Sequence, residues 1–364
     1  RYADGESQPG GSFAISGNLS GLGYVLSAVA EPRYDHRITY EDSMLGDFTA
    51  NDAIREDQIR EQTSYDYSAN LDYEFSPNSN ARLNALYSQN DNPTSLARRT
   101  VNRRVYPNTI ALQREELPGE RDNWEIGADY ELRTAQGSRF KGLVISNQGN
   151  VDSIRKRYDV ADEGSEELTL FLDTGSVTKE RIARGSYTFD FFESQDVEIG
   201  IERAQTILDS RLAYGVVDAA GTPDPSLGGL VAQSVSNAVS TVEEMRYEPF
   251  LIHNWQLSSQ MSLETSMLYE SSEISQSGET SLSRDFGFFK PKVDFRYDLT
   301  PQLQIRATVE KRVRQLRFGD FVASNDDQDN DSNVLGGNEN LKPEWLWAYD
   351  LKGEYRLPND VGVV

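Results

Sequence analysis

In residues 64–75, SYDYSANLDYEF, two kinds of side chain never mix. Tyr65, Tyr67, Ala69, Leu71, Tyr73 and Phe75 occupy every second position, and Ser64, Asp66, Ser68, Asn70, Asp72 and Glu74 fill the gaps. A strand sends successive side chains to opposite faces, so this segment has one apolar-aromatic surface and one polar surface. A helix would scatter both sets around its axis. The same alternation returns in Trp124–Leu132, Ser186–Phe191, Val197–Glu202, Met261–Tyr269, Val293–Leu299, Leu303–Glu310 and Trp347–Leu357. The chain is therefore read as all-β.

The connections narrow the architecture. Short turns are expected near Gly21, at Pro77–Asn80, Thr134–Gly137, Glu193–Gln195, Ser258–Gln260 and Thr300–Gln302. Between the hairpins lie long polar stretches, read as loops: Glu31–Gln62, Gln89–Arg121, Gln148–Val177, Gln205–Met245, Ser272–Lys290 and Gln315–Glu344. Compact soluble domains rarely use loops beyond about 12–15 residues. Short turns at one end and long loops at the other are the pattern of a transmembrane antiparallel up-and-down β-barrel, with periplasmic turns and extracellular loops. A soluble β-sandwich also alternates, but it accounts neither for the loop asymmetry nor for strands of about ten residues.

Composition agrees once the solvent is specified. In hydrocarbon only helices and closed sheets pair all their backbone groups. A closed sheet needs apolar side chains on the lipid side alone, so its average hydropathy can be low. No apolar run approaches the roughly 18 residues that a spanning helix requires. Aromatics near strand ends, such as Tyr73, Phe75, Phe191 and Trp255, suit the interfacial girdles of an outer-membrane barrel. A net charge of -23 disfavours nucleic acid as a partner. The absence of cysteine removes thiolate chemistry, and two distant histidines, His36 and His253, give no metal-ligand spacing. No nucleophile elbow, P-loop or dinucleotide fingerprint occurs. Neither an enzyme nor a cofactor is expected.

About thirteen strands are counted, from a short pair within Ser12–Glu31 to the strand beginning near Trp345. Pro358–Asp360 then reads as a periplasmic turn, with Val361–Val364 starting a further strand. Bacterial barrels use even numbers of strands, so either the complete barrel is larger or that further strand closes it.

Gly337-Asn338-Glu339-Asn340-Leu341-Lys342-Pro343-Glu344, running into the alternating strand from Trp345, resembles the N-x-N-L-K-P-E segment of TonB-dependent outer-membrane receptors. The resemblance implies a 22-stranded barrel in the outer membrane of a Gram-negative bacterium. A plug and the TonB complex would drive uptake of a scarce ligand: a ferric siderophore, cobalamin or an oligosaccharide. The given residues contain no segment resembling a plug or a TonB box. Residues 1–11 are accordingly read as the tail of a plug-to-barrel connection and 12–364 as part of the barrel. The alternative is a passive porin, or an assembly or export barrel, without energy coupling; a third reading is a soluble β-rich adhesion protein. Asn338, Asn340, Leu341, Lys342, Pro343 and Glu344 are read as structural, with Pro343 fixing the backbone before the strand begins.

Candidate ligand or ion contacts are two clusters. Arg98, Arg99, Arg103 and Arg104 form the basic one, which could pair with lipopolysaccharide, with a ferric chelate, or with acidic loops of the same chain. Asp326, Asp327, Asp329 and Asp331 belong to the densest acidic run, which lacks the Gly and Glu positions of an EF-hand and is read as a solvated loop tip. In Ser226–Arg246 the spacing of Leu230, Val231, Val235, Ala238, Val239 and Val242 predicts a short amphipathic helix, packed on the barrel mouth or, as the alternative, gating a ligand.

Overall fold

A computed structural model describes residues 2–3, 6–325, 334–357 and 361–363. The wall begins with β1 (Gly11–Leu19), β2 (Leu22–Met44), β3 (Ala50–Ser76) and β4 (Ser79–Asp91). After β5 (Thr94–Asn102) and β6 (Thr109–Leu117) it continues with β7 (Gly119–Arg133), β8 (Arg139–Val160), β9 (Glu166–Phe192) and β10 (Gln195–Val216). A small external strand, β11 (Leu230–Gln233), precedes β12 (Val239–Gln256), β13 (Met261–Gly278), β14 (Leu282–Asp298), β15 (Leu303–Val313), β16 (Trp345–Leu357) and β17 (Val361–Val363). Every pairing is antiparallel, and the strand order closes into a barrel with β17 beside β1.

Pairing register confirms the two faces. Asp196, Asn254, Glu264, Asp294, Thr308 and Asp350 stand opposite one another across six successive wall strands. One residue along, the row becomes Val197, His253, Thr265, Val293, Val309 and Tyr349. The first row faces the lumen and is cross-linked by polar contacts, as where Asn254 donates to Asp196 (2.9 Å) and Arg306 to Asp294 (2.8 Å). The second faces lipid. Next to the short turns, aromatic rings cluster on the outside: Tyr73 lies edge-on to Phe75 (4.7 Å between centroids), and Phe191 to Phe192 (4.4 Å). His253 belongs to this belt, its ring nitrogen 2.9 Å from the Gln195 side chain and its ring 6.3 Å from Trp255.

The long external segments are present, but five of the six are built mainly as strand rather than coil. β2 and β3 remain paired up to Met44 and Ala50, and β8 and β9 up to Val160 and Glu166. Pro93 and Pro118, which cannot donate to a ladder, interrupt two strands without shifting their register. β5 continues the pairing of β4 with β3, and β6 that of β7 with β8. Alternation of apolar and polar residues fades in these extensions because both faces meet water. The backbone ladder has no reason to stop there. In the sixth, the described residues 314–325 and 334–344 are largely irregular, with a 3-10 turn at Phe318–Phe321.

The helix expected within Ser226–Arg246 does not form. A 3-10 turn (Pro225–Leu227), β11 and the start of β12 occupy that segment. Its apolar residues serve three different surfaces. Leu230 packs with Leu227 on Phe171, Val235 on the Leu170–Leu212 cluster, and Val242 is wholly buried against Leu208 and Ile274. Helical spacing was fortuitous.

Candidate functional site

Residues 314–325 and 334–344 fold back onto the upper inner wall. Phe321 and Val322 pack on Leu208, Val242 and Ile274, contributed by β10, β12 and β13, and Ala323 packs on Leu170, Leu172 and Leu212. The receptor-like motif anchors the segment's far end. Arg284 of β14 donates to the Asn340 side chain (2.8 Å) and the Leu341 carbonyl (3.1 Å), while Leu341 packs against the Phe321 cluster. Arg314 pairs with Glu344 at 3.1 Å through its side chain, and its amide donates to the Glu344 carbonyl (2.8 Å). The Asn338 amide donates to the Asp320 carbonyl, and the Asn340 amide to the Asn338 side chain. Gly337 has to be glycine, since a Cβ there would lie 1.9 Å from the Phe321 carbonyl oxygen. Lys342 is exposed and Pro343 half-buried.

Beneath this segment a cavity of about 370 Å3 opens against β7–β10. Arg121 and Arg155 contribute cations to its wall, and Ser153, Thr174, Ser176 and Ser210 contribute hydroxyls. Above Arg155 sits a buried ionic cluster. Glu115, 1% exposed, accepts from Arg155 Nε (2.8 Å) and Nη2 (3.1 Å) and from Arg157 Nε (2.6 Å). Arg98, 6% exposed, lies 3.5 Å from Glu115 and donates to Glu56 at 2.7 Å. Burial opposes ionisation of Glu115, but the guanidinium groups of Arg155 and Arg157 outweigh it and hold its carboxyl below the usual glutamate range. Arg98, Arg155 and Arg157 thus converge on Glu115, with Glu56 beside Arg98, on the inner face of the rim. The cavity below, with Arg121 beside hydroxyl groups in its wall, suits an anion or a chelate with carboxylate, catecholate or phosphate oxygens.

The four arginines singled out from the sequence are not brought together. The pleat sends Arg98 inward and leaves Arg99 exposed, Arg103 pairs with Asp42 (2.8 Å) at the hairpin tip, and the Arg104 amide donates to Asn102. Asp326, Asp327, Asp329 and Asp331 lie outside the described residues. Among the described residues no group of three metal-ligating side chains occurs. Sequence reading missed Glu115, Arg155, Arg157 and Arg121 because they fall in or beside stretches taken for loops. The i, i+2 spacing of Arg155 and Arg157, which puts both on one strand face, was the available signal.

A closed antiparallel sheet with an apolar exterior, a polar interior and an occluding segment at its external mouth defines an outer-membrane β-barrel. The chain belongs to the TonB-dependent receptor-like β-barrel family, whose sequence model matches residues 17–360. Two similar solved structures are the alcaligin outer-membrane receptor FauA of Bordetella pertussis and the siderophore receptor PiuA of Acinetobacter baumannii. FauA is 11% identical with a TM-score of 0.51, the match covering 95% of this chain and 48% of FauA. PiuA is 12% identical with a TM-score of 0.52, the match covering 96% of this chain and 55% of PiuA. The chain thus spans about half the length of these receptors, and at such identities the likeness concerns the fold. No curated protein sequence matches it. Membership of that family places it in the bacterial outer membrane.

Proposed function

We propose that the full-length protein imports an anionic chelate of the siderophore class across the outer membrane, energised by TonB. On this reading residues 12–364 supply part of a barrel that reaches 22 strands once the seam between β17 and β1 opens to admit the rest, residues 1–11 continue from a plug, and the plug contacts the TonB complex. The observation that carries the proposal is the cavity against β7–β10, where Arg121 stands in the wall beside the hydroxyls of Ser153, Thr174, Ser176 and Ser210. The family and the two siderophore receptors support the transport class. Neutral oligosaccharides make poorer use of an arginine in that wall. No catalytic step is assigned to the protein.

The test is uptake by cells expressing the full-length protein, with and without functional TonB. Radioactive iron bound to hydroxamate, catecholate or carboxylate siderophores provides the probes, with labelled cobalamin and a maltooligosaccharide as contrasts. TonB-dependent accumulation of one ferric chelate, reduced tenfold or more by Arg121→Ala, is expected. Uptake that persists without TonB would instead establish a passive pore, and exclusive uptake of a neutral oligosaccharide would overturn the ligand class.

A further inference from the structure

A concavity of about 850 Å3 lies on the outer wall rather than in the lumen. Two adjacent rows of outward residues build it. Tyr73, Ala81, Tyr130, Gly142, Gly185 and Ile201 stand opposite one another across β3, β4, β7, β8, β9 and β10. The next row is Leu71, Leu83, Ala128, Val144, Ala183 and Arg203, followed by Tyr247 on β12. The small side chains make the floor, and Tyr73, Tyr130, Phe140 and Tyr247 rise at its edges. At about 4.8 Å per strand the trench runs for roughly 25–30 Å. That is longer than the roughly 15 Å an acyl chain occupies in one leaflet of a 30 Å core.

Its upper end carries charge. Arg203 lines the trench, and Arg181 stands one row higher, opposite Gln205. From the Ser194 turn Arg203 is roughly 20 Å up a tilted strand, close to the top of an apolar band about 25 Å tall. Neither guanidinium makes an ion pair or a side-chain hydrogen bond among the described residues. Outward cations further up are neutralised, Lys179 by Asp209 (3.1 Å) and Arg211 by Asp152 (2.5 Å) and Asp173 (3.0 Å). Two unneutralised arginines on the lipid-facing surface of a chain with net charge -23 call for an anion supplied from outside.

The geometry points to a lipopolysaccharide site on the outer wall: a phosphate of the lipid bound by Arg181 and Arg203, and one of its acyl chains laid in the trench below. Guanidinium forks match phosphate oxygens in pairs, and the acyl chain replaces contacts that the small residues leave unmade. The extracellular end of the trench fixes the leaflet, and that leaflet selects a phosphorylated, multiply acylated glycolipid over a two-chain phospholipid. The inference depends on the barrel and its orientation and not on what passes through the lumen, so it stands or falls separately from the uptake proposal.

The experiment uses full-length protein extracted from outer membranes in mild detergent. Bound lipid is measured by native mass spectrometry in competition among lipopolysaccharide, phosphatidylglycerol and phosphatidylethanolamine. Wild-type protein is expected to hold lipopolysaccharide at least tenfold more tightly than either phospholipid. The R181Q/R203Q variant should lose that preference, A183F should weaken binding by blocking the trench, and R181K/R203K should fall between. K311Q, which removes an outward cation that lies 4.6 Å over Trp345 away from the trench, should bind as wild type does. Heat-modifiable gel migration shows that each variant is folded. Unchanged binding by folded R181Q/R203Q, equal affinity for phosphatidylglycerol, or an equal loss in K311Q would each overturn the site.

Discussion

Replacing Glu115 by alanine removes the carboxylate that gathers Arg155, Arg157 and Arg98 at the top of the wall. It accepts three hydrogen bonds of 2.6–3.1 Å while only 1% exposed, so no water stands ready to replace it. Deleting one partner of a buried ion pair costs about 3–5 kcal/mol, because the opposing charge stays buried without compensation. Here Glu56 remains to offset Arg98, which favours the lower end, about 3 kcal/mol. The cost falls on the β5–β6 hairpin and its pairing with β8, above the membrane, and not on the wall below Pro93 and Pro118. At 1.4 kcal/mol per factor of ten, hydrogen exchange of the amides in 94–117 should accelerate about 100-fold. Amides near the short turns should be unaffected. The assay is exchange in detergent micelles read by mass spectrometry, with Glu115→Ala, Arg155→Ala and the double variant closing a cycle. An unchanged rate in 94–117, or acceleration spread evenly over the barrel, would refute the reasoning. So would strictly additive single and double effects.

Acid should act on the same cluster. Because Glu115 titrates below the ordinary glutamate value of about 4.3, its contribution is complete above that value and lost as pH falls through its own lower value; exchange in 94–117 should rise as pH falls below about 4.3 in wild type but not in Glu115→Ala. Ala128→Arg, on the lipid side in mid-wall, should destabilise the barrel in bilayers by about 2–4 kcal/mol, and Asn70→Arg, on the lumen side, by much less; urea titration in lipid vesicles checks this, and equal costs would contradict the assignment of faces. Gly337→Ala, whose Cβ would collide with the Phe321 carbonyl, should release 314–344 and expose it to protease, while the wall stays resistant. Arg284→Ala should have a milder form of the same effect, because Leu341 keeps its apolar contacts.

Legibility in the sequence followed the solvent. Where lipid lies outside and water inside, as along Tyr65–Phe75, the two faces differ in kind and the strand announces itself. Above the membrane both faces of the same strand are wet, and Ala50–Thr63 reads as a polar loop although its backbone pairs throughout with β2 or β5. Arg98 and Arg99 looked like one cluster because proximity along the chain was allowed to outweigh the pleat, which separates them. The valines of Ser226–Arg246 matched a helical period while serving three unrelated surfaces. Arg181 and Arg203 carry no local signal at all: only the register of β9 with β10 makes them neighbours on one outer face. The motif at Asn338–Glu344 was legible as a structural device, but its anchor, Arg284, lies more than fifty residues earlier and is reached only through the fold.

The ladder-built rim has a thermodynamic consequence for recognition. A mouth of flexible coil would lose conformational freedom on every binding event, at about 1–2 kcal/mol for each backbone residue fixed. In β2–β3, β5–β6 and β8–β9 that freedom is already gone before any ligand arrives, so these hairpins meet it as stiff, preshaped walls. Selectivity for shape and charge then resides in surfaces that do not adapt. Accommodation to ligands of different outline falls to stretches outside the ladders, chief among them 314–323 and 336–344 on the inner face of the rim.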